Sequence, residues 1–312
     1  MELRQLRYFI AVVDAQSITA AARKLHLVQS AVSHQISNLE DELQALLLLR
    51  TKSGVKPTAA GQLLYRHALV ITKQVEAVRD GVKEVGKEVR GKVAIGLPNS
   101  TAAVLALPIL KTVRAELPHV ELTIVEGLSG LLSEQLANGK LDFSILFETE
   151  PMRGFEVLPL FKEKLHFVSC DPVVCKQYVR SKTITLRSVL KRPLILPPKP
   201  NGIRLLLEKD ALRAGLNPRV VADITGLSTM LAAVKAGLAD SVMMAVNADS
   251  GSPPSKMLIL PISSPVIERA AGLFYSQHFE LSSAAICVKD ITLRAIDELI
   301  SGRKWRGATL SR

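Results

Sequence analysis

Apolar residues return at helical spacing through the first ninety positions and in short strand-like clusters after that. Leu3, Leu6, Ile10 and Val13, with Phe9 beside them, mark a first amphipathic helix. Ser17 is placed to cap a second helix over 19–25, where three consecutive alanines let another helix approach closely. A tight turn over 27–29 leads to a third helix, with Ser30 as the expected cap. Val32, Ile36, Leu39 and Leu43 recur there at spacings of 4, 3 and 4, so they share one face. The opposite face carries Ser30, Ser33, His34, Ser37 and Asn38, and the acidic run Glu40, Asp41, Glu42 comes only near the helix end. Short uncharged donors and acceptors suit base edges and phosphates. An ordinary amphipathic helix with a solvated polar face gives the same period.

The next segment, RTKSGVKPT, holds Arg50, Lys52 and Lys56 around Gly54. It reads as a hairpin with basic edges, a wing against a phosphate backbone; a plain surface loop is the alternative. Pro57 and Thr58 mark the start of a long helix. In it Leu64, Ala68, Ile71, Val75, Val78, Val82, Val85 and Val89 alternate steps of 4 and 3, an apolar seam of period 3.5. Charged residues fill the other faces. Such a seam needs cover, most simply from a second copy of the chain, otherwise from the chain's own later domain. Gly81 and Gly86 each weaken this helix by about 1 kcal/mol relative to Ala.

From Gly91 the pattern changes to strands alternating with helices. Strands are expected at 92–97, 120–125, 141–147, 165–169, 194–196, 220–224 and 241–246. Helices are expected at 102–117, 131–138, 205–214, 229–236 and 292–300. This reads as an α/β domain with largely parallel strands, long enough for two lobes with a cleft between them. Residues 302–312 are expected to fray.

Composition adds limits more than direction. The 312 residues are 48% hydrophobic, ample for real cores. No apolar run reaches bilayer length, so no membrane association is expected. Met1 leads straight into a helical pattern with no secretory signal, which points to a cytoplasmic protein. The net charge of +11 favours a polyanionic partner, but residues 1–90 hold 13 Lys/Arg against 9 Asp/Glu, so the excess is spread along the chain. Cys170, Cys175 and Cys287 form no zinc spacing and read as idle thiols, with a redox pair as the alternative. No GxxxxGK[ST], HExxH or GxSxG is present, so neither an enzyme nor a metal site or cofactor is expected. The α/β part alone would suit a transport-type binding protein, against which stand the lack of a signal peptide and the long seam.

Taken together, LRQLRYFIAVVDAQSITAAARKLHLVQSAVSHQISNLEDEL, RTKSGVKPTAAG, GKVAIG, NGKLDFSIL and VKAGLA resemble the LysR-type transcriptional regulators over essentially the whole length. SGVKPTAAGQLLYRHA and GKVAIGLPNSTAA are most similar to the nitrogen assimilation control branch. The resemblance implies an α/β chain with an N-terminal winged helix-turn-helix (1–58), a long dimerising linker helix (59–90) and a two-lobed, periplasmic-binding-protein-like effector domain (91–312). Lobe I would span about 91–161 and 268–300, and lobe II about 162–267. It also implies dimers or tetramers on double-stranded promoter DNA, RNA polymerase as a partner, and regulation either by a small anionic effector or without one. By position Gln29, Ser30, Ser33, His34, Ser37 and Asn38 would face DNA, with Arg50, Lys52 and Lys56 on phosphates. Leu64, Ile71, Val75, Val78, Val82 and Val85 would pair linker helices. Asn99, Ser100, Thr101, Ser129, Ser228 and Thr229, at the starts of helices, would line the effector cleft; simple N-caps are the alternative. The chain departs from the family at Val28 and Ser30, where Ser and Pro are usual, in LLLLRT, and at Asp240, where an apolar residue is more common.

Overall fold

The computed structural model of the chain describes residues 1–51, 54–84, 88–147, 153–248, 257–277 and 280–311, and the side chains of 80–84 are not among what is described. Helices α1 (Leu3–Ala15), α2 (Ile18–Lys24) and α3 (Gln29–Leu43) enclose a small core of Phe9, Val12, Ala21, Val32, Ile36 and Leu39. Ser17 caps α2 by accepting from Ala20 N at 3.2 Å. The third helix departs from expectation at both ends. Val28, not Ser30, is its N-cap and offers no side-chain bond, so Ser30 sits in the first turn. At the other end Gln44 turns left-handed (φ 51°), and Leu43, one position before it, is 40% exposed. Glu40 has a structural duty there, since its Oε1 accepts from Leu47 N at 2.7 Å and Leu48 N at 3.1 Å.

The antiparallel hairpin β1 (Leu48–Thr51) and β2 (Gly54–Pro57) forms the wing. Val55 N donates to Gln16 O at 2.8 Å, which pins the wing to the end of α1. Gly54 is required at this point: its φ is +124°, and a Cβ would stand 2.6 Å from Gln16 O. Helix α4 (Ala59–Glu84) follows, capped by Thr58, whose hydroxyl accepts from Gly61 N at 3.0 Å.

The rest of the chain builds two lobes. The first pass runs β3 (Arg90–Pro98), α5 (Asn99–Glu116), β4 (His119–Gly127), α6 (Ser129–Ala137), β5 (Phe143–Leu146) and the long β6 (Phe155–Ser169). Then come α7 (Pro172–Tyr178), β7 (Ile184–Thr185), α8 (Leu186–Leu190), β8 (Leu194–Leu196), α9 (Gly202–Arg213), β9 (Val220–Asp223), α10 (Leu227–Lys235), β10 (Asp240–Met244) and α11 (Ala245–Ala248). The return is β11 (Leu258–Ser263), β12 (Glu268–Ser276), α12 (Ser283–Ser301) and β13 (Ala308–Leu310). Lobe I orders its strands β4-β3-β5-β12-β6-β13, and lobe II orders them β9-β8-β10-β6-β11-β7. Strand β6 belongs to both. Residues up to Lys164 pair with β12, and Leu165 onward pair with β10 and β11. Leu165 N donates to Ile267 O at 2.9 Å, so the two crossings between lobes lie side by side.

Three expectations for this region need correction. The sheets are mixed, because β6 and β12 run antiparallel to their neighbours on crossing between lobes. The last helix starts nine positions earlier than expected, at Ser283, where Ser282 caps it. The C-terminal residues do not fray: Trp305 is 2% exposed, and β13 pairs with residues 161–163 of β6. The Trp305 ring lies 4.6 Å from that of Phe161, centroid to centroid. Among the described residues no helix is long and apolar enough to cross a membrane.

Candidate nucleic-acid interface and interlobe cleft

Burying Val32, Ile36 and Leu39 fixes the rotation of α3 and turns its polar face outward. Gln29, Ser30, His34 and Asn38 are exposed, and Ser33 and Ser37 are half-buried beside them. Two bonds order this face. Asn38 Nδ2 lies 3.3 Å from His34 Nδ1, and Arg50 Nη2 of the wing donates to Ser33 Oγ at 3.1 Å. The wing is thereby fastened to the middle of α3. Lys56 is exposed on β2, and Lys52 lies outside the described residues. Val28 offers no side-chain cap, Ala31 N donates to its carbonyl at 3.1 Å, and the start of α3 lies beside exposed Gln29 and Ser30; a helix start favours an anion.

The α4 seam is divided. Ala68 is buried within the chain and Leu64 packs on the N-terminal core. Ile71 is 38% and Val78 63% exposed, with Val75 half-buried between them. Val85 and the side chain of Val82 lie outside the described residues. Other positions of α4 are held by lobe I. Lys73 pairs with Asp142 at 2.9 Å, and Gln74 donates to Glu280 O at 3.2 Å. Asp142 also accepts from Ala94 N at 2.8 Å. Lys140 reaches Asp14 at 3.6 Å and stands 5.4 Å over the Tyr65 ring, whose hydroxyl donates to Asp14. Burial, then Asp14, pushes the Tyr65 hydroxyl above its ordinary value.

At the cleft the six expected residues separate. Asn99, exposed at the start of α5, faces Ser228 in α10 across a crevice of about 550 Å³ shared with Glu126, Leu231 and Lys235. The other four point elsewhere. Ser100 Oγ accepts from Arg269 Nη2 at 2.7 Å, and its carbonyl accepts from Asn247 Nδ2 at 2.9 Å. Thr101 is 1% exposed, Ser129 Oγ accepts from Phe147 N at 3.3 Å, and Thr229 is exposed outside the crevice.

Sequence reasoning missed a buried charged pair behind the first turn of α5. Arg269 Nε donates to Glu163 Oε1 at 2.7 Å, and its guanidinium carbon stands 3.4 Å from the centre of the Phe147 ring. Trp305 Nε1 donates to Glu163 Oε2 at 3.3 Å. Burial pulls the Arg269 guanidinium below its ordinary value, against Glu163, which holds it up. In lobe II, Asp240 is 2% exposed and accepts from Arg192 Nε at 2.8 Å; Arg192 also pairs with Asp171. The buried carboxylate that departs from the family at Asp240 thus has a half-buried arginine as its partner. Burial pushes the Cys170 and Cys175 thiols up, the opposite of what a reactive thiolate needs.

Residues 3–62 match the bacterial regulatory helix-turn-helix protein, lysR family, and residues 86–296 match the LysR substrate binding domain. The chain belongs to the LysR family. It is a DNA-binding transcriptional regulator with an effector-binding domain. The nitrogen assimilation regulatory protein nac of Klebsiella aerogenes is 35% identical over 297 residues, 95% of each chain. That of Escherichia coli K12 is 32% identical over 308 residues, 98% of this chain and 99% of its own. Among solved LysR-type structures, full-length OxyR from Pseudomonas aeruginosa superposes with a TM-score of 0.75 at 22% identity, covering 95% of each chain. Full-length CbnR in complex with its target DNA superposes with a TM-score of 0.64 at 21% identity, over 95% of this chain and all of that one. At these identities the two structures speak to the LysR fold alone.

Proposed function

We propose that this LysR-family chain binds promoter DNA as a two-fold pair, or as a tetramer of two such pairs, and regulates transcription by where it presents DNA to RNA polymerase. In this reading α3 enters the major groove. Gln29 and Asn38 supply carboxamides for adenine, His34 and the hydroxyls of Ser30, Ser33 and Ser37 fill in around them, and Arg50, Lys52 and Lys56 hold phosphates. The observation that carries it is the bond from Arg50 to Ser33, which sets wing and α3 as one continuous polar surface. Pairing runs through Leu64, Ile71, Val75, Val78, Val82 and Val85 of α4, supported by the exposure of Ile71 and Val78 on a helix held elsewhere by the N-terminal core and lobe I. A gel shift on the DNA upstream of its own gene, against random competitor, tests the reading. A retarded complex that random DNA displaces equally well would sink it.

A second feature supports modulation by a small anionic effector. Asn99 and Ser228 face each other from the first turns of α5 and α10, on opposite lobes of the crevice. Isothermal titration against a panel of small carboxylates checks this; silence across the panel removes it.

A further inference from the structure

Next to the crevice residue Asn99, the hydroxyl of Ser100 is already taken by the chain itself. We propose that Arg269 is a built-in ligand: its guanidinium takes the Ser100 hydroxyl, so the chain, and not a free anion, fixes the residue whose carbonyl Asn247 of lobe II holds. Arg269 is the second residue of β12, just past the crossing between lobes. Its fork reaches Ser100 Oγ at 2.7 Å and Glu163 Oε1 at 2.7 Å, and its plane covers Phe147. Asn247 of α11 brings lobe II to the carbonyl of the same Ser100, and Trp305 of the C-terminal segment holds the second oxygen of Glu163. Three residues from separate stretches of the chain, Ser100, Phe147 and Glu163, therefore meet one guanidinium, and Asn247 and Trp305 hold two of those three in turn. A carboxylate arriving at Ser100 would have to displace Arg269 and leave Glu163, itself 2% exposed, without its counter-charge. Removing one partner of a buried pair is far more costly than the pair's net worth, so the subsite rejects free anions. Any effector is confined to the outer crevice at Asn99 and Ser228. The inference concerns the same cleft as the effector reading but stands without it.

The test uses the full-length protein and methylguanidinium at millimolar concentration. Arg269→Ala opens a guanidinium-shaped space with Glu163 at its end. Methylguanidinium should raise the thermal midpoint of R269A saturably, by about 2–4 °C at ten times its dissociation constant, and leave the wild type unmoved. The response should vanish in R269A/E163Q, where the carboxylate is gone. On upstream DNA, R269A should alter the extent of nuclease protection, and methylguanidinium should restore it. Absence of a saturable midpoint shift in R269A, or an equal shift in the wild type, overturns the proposal. If R269A does not fold, Arg269→Lys serves: one ammonium cannot serve Ser100, Glu163 and Phe147 together, so an altered footprint is expected. A wild-type footprint with R269K would then overturn it. The thermal readout needs no DNA, so failure of DNA binding and failure of this inference are told apart.

Discussion

Replacing Ile71 and Val78 by alanine together is the sharpest test of pairing through α4. The exposed parts of these side chains, 38% and 63%, are what a partner helix would cover. Truncation removes three carbons from Ile71 and two from Val78. Weighting each by its exposure at about 0.8 kcal/mol per buried methylene gives about 2 kcal/mol per chain. A two-fold interface counts every contact twice, so the pair loses about 4 kcal/mol, close to a thousandfold in dissociation constant. Alanine is the better helix former at both positions, so α4 itself does not weaken. Sedimentation equilibrium over a dilution series reads the change directly, with circular dichroism confirming unchanged helix content. A dissociation constant that moves by less than about tenfold would refute the assignment and leave the seam as cover for the chain's own domain.

Gln29→Ala should cost about 1–3 kcal/mol on the cognate site and nothing on random DNA, whereas Lys56→Ala should weaken both equally; competitive gel shifts separate the two patterns. Trp305→Ala should destabilise the fold by about 3–5 kcal/mol, since it empties a site against Phe161 and strips a donor from Glu163. A thermal melt unchanged by this substitution would mean the C-terminal segment is not part of lobe I. Asp171 is held below its ordinary 3.8 by the backbone N–H of Val173, then by Arg192. A carboxylate lowered on folding contributes stability that is complete above its unfolded value and disappears as pH falls through its native one. Thermal melts should therefore show wild type losing stability below about pH 4 more steeply than Asp171→Asn; parallel curves would contradict it.

What the sequence disclosed depended on how one-sided each element is. Helix α3 buries one clean stripe and exposes the other, so its period betrays its fold and the face it leaves exposed. Helix α12 buries Ala284, Ala285, Val288 and Thr292, small or polar residues that a hydropathy pattern passes over, and its first half went unseen. Thr292 fits because its hydroxyl donates to Val288 O at 2.8 Å. Strand β12 was hidden for another reason, since ERAAGLFYS mixes charge, glycine and aromatics without alternation. The buried charged pair had no local signature at all. Glu163 and Arg269 stand 106 positions apart and meet only because two crossing strands pair. Asp240 likewise read as an anomaly until folding brought Arg192 to it.

Helix α6 reaches from the Phe147–Arg269 contact to α4 and α1. Helix α6 begins at Ser129, whose hydroxyl holds Phe147 N, and Phe147 lies directly under Arg269. It ends in Asn138, Gly139 and Lys140, which meet α4 and α1: Gly139 O accepts from Lys73 at 3.4 Å, and Lys140 spans Tyr65 and Asp14. Leu132 and Leu136 bury its inner face, so it moves as a body or not at all. The Lys73–Asp142 pair beside it keeps α4 from slipping past, because Asp142 is itself fixed to the backbone of β3 through Ala94.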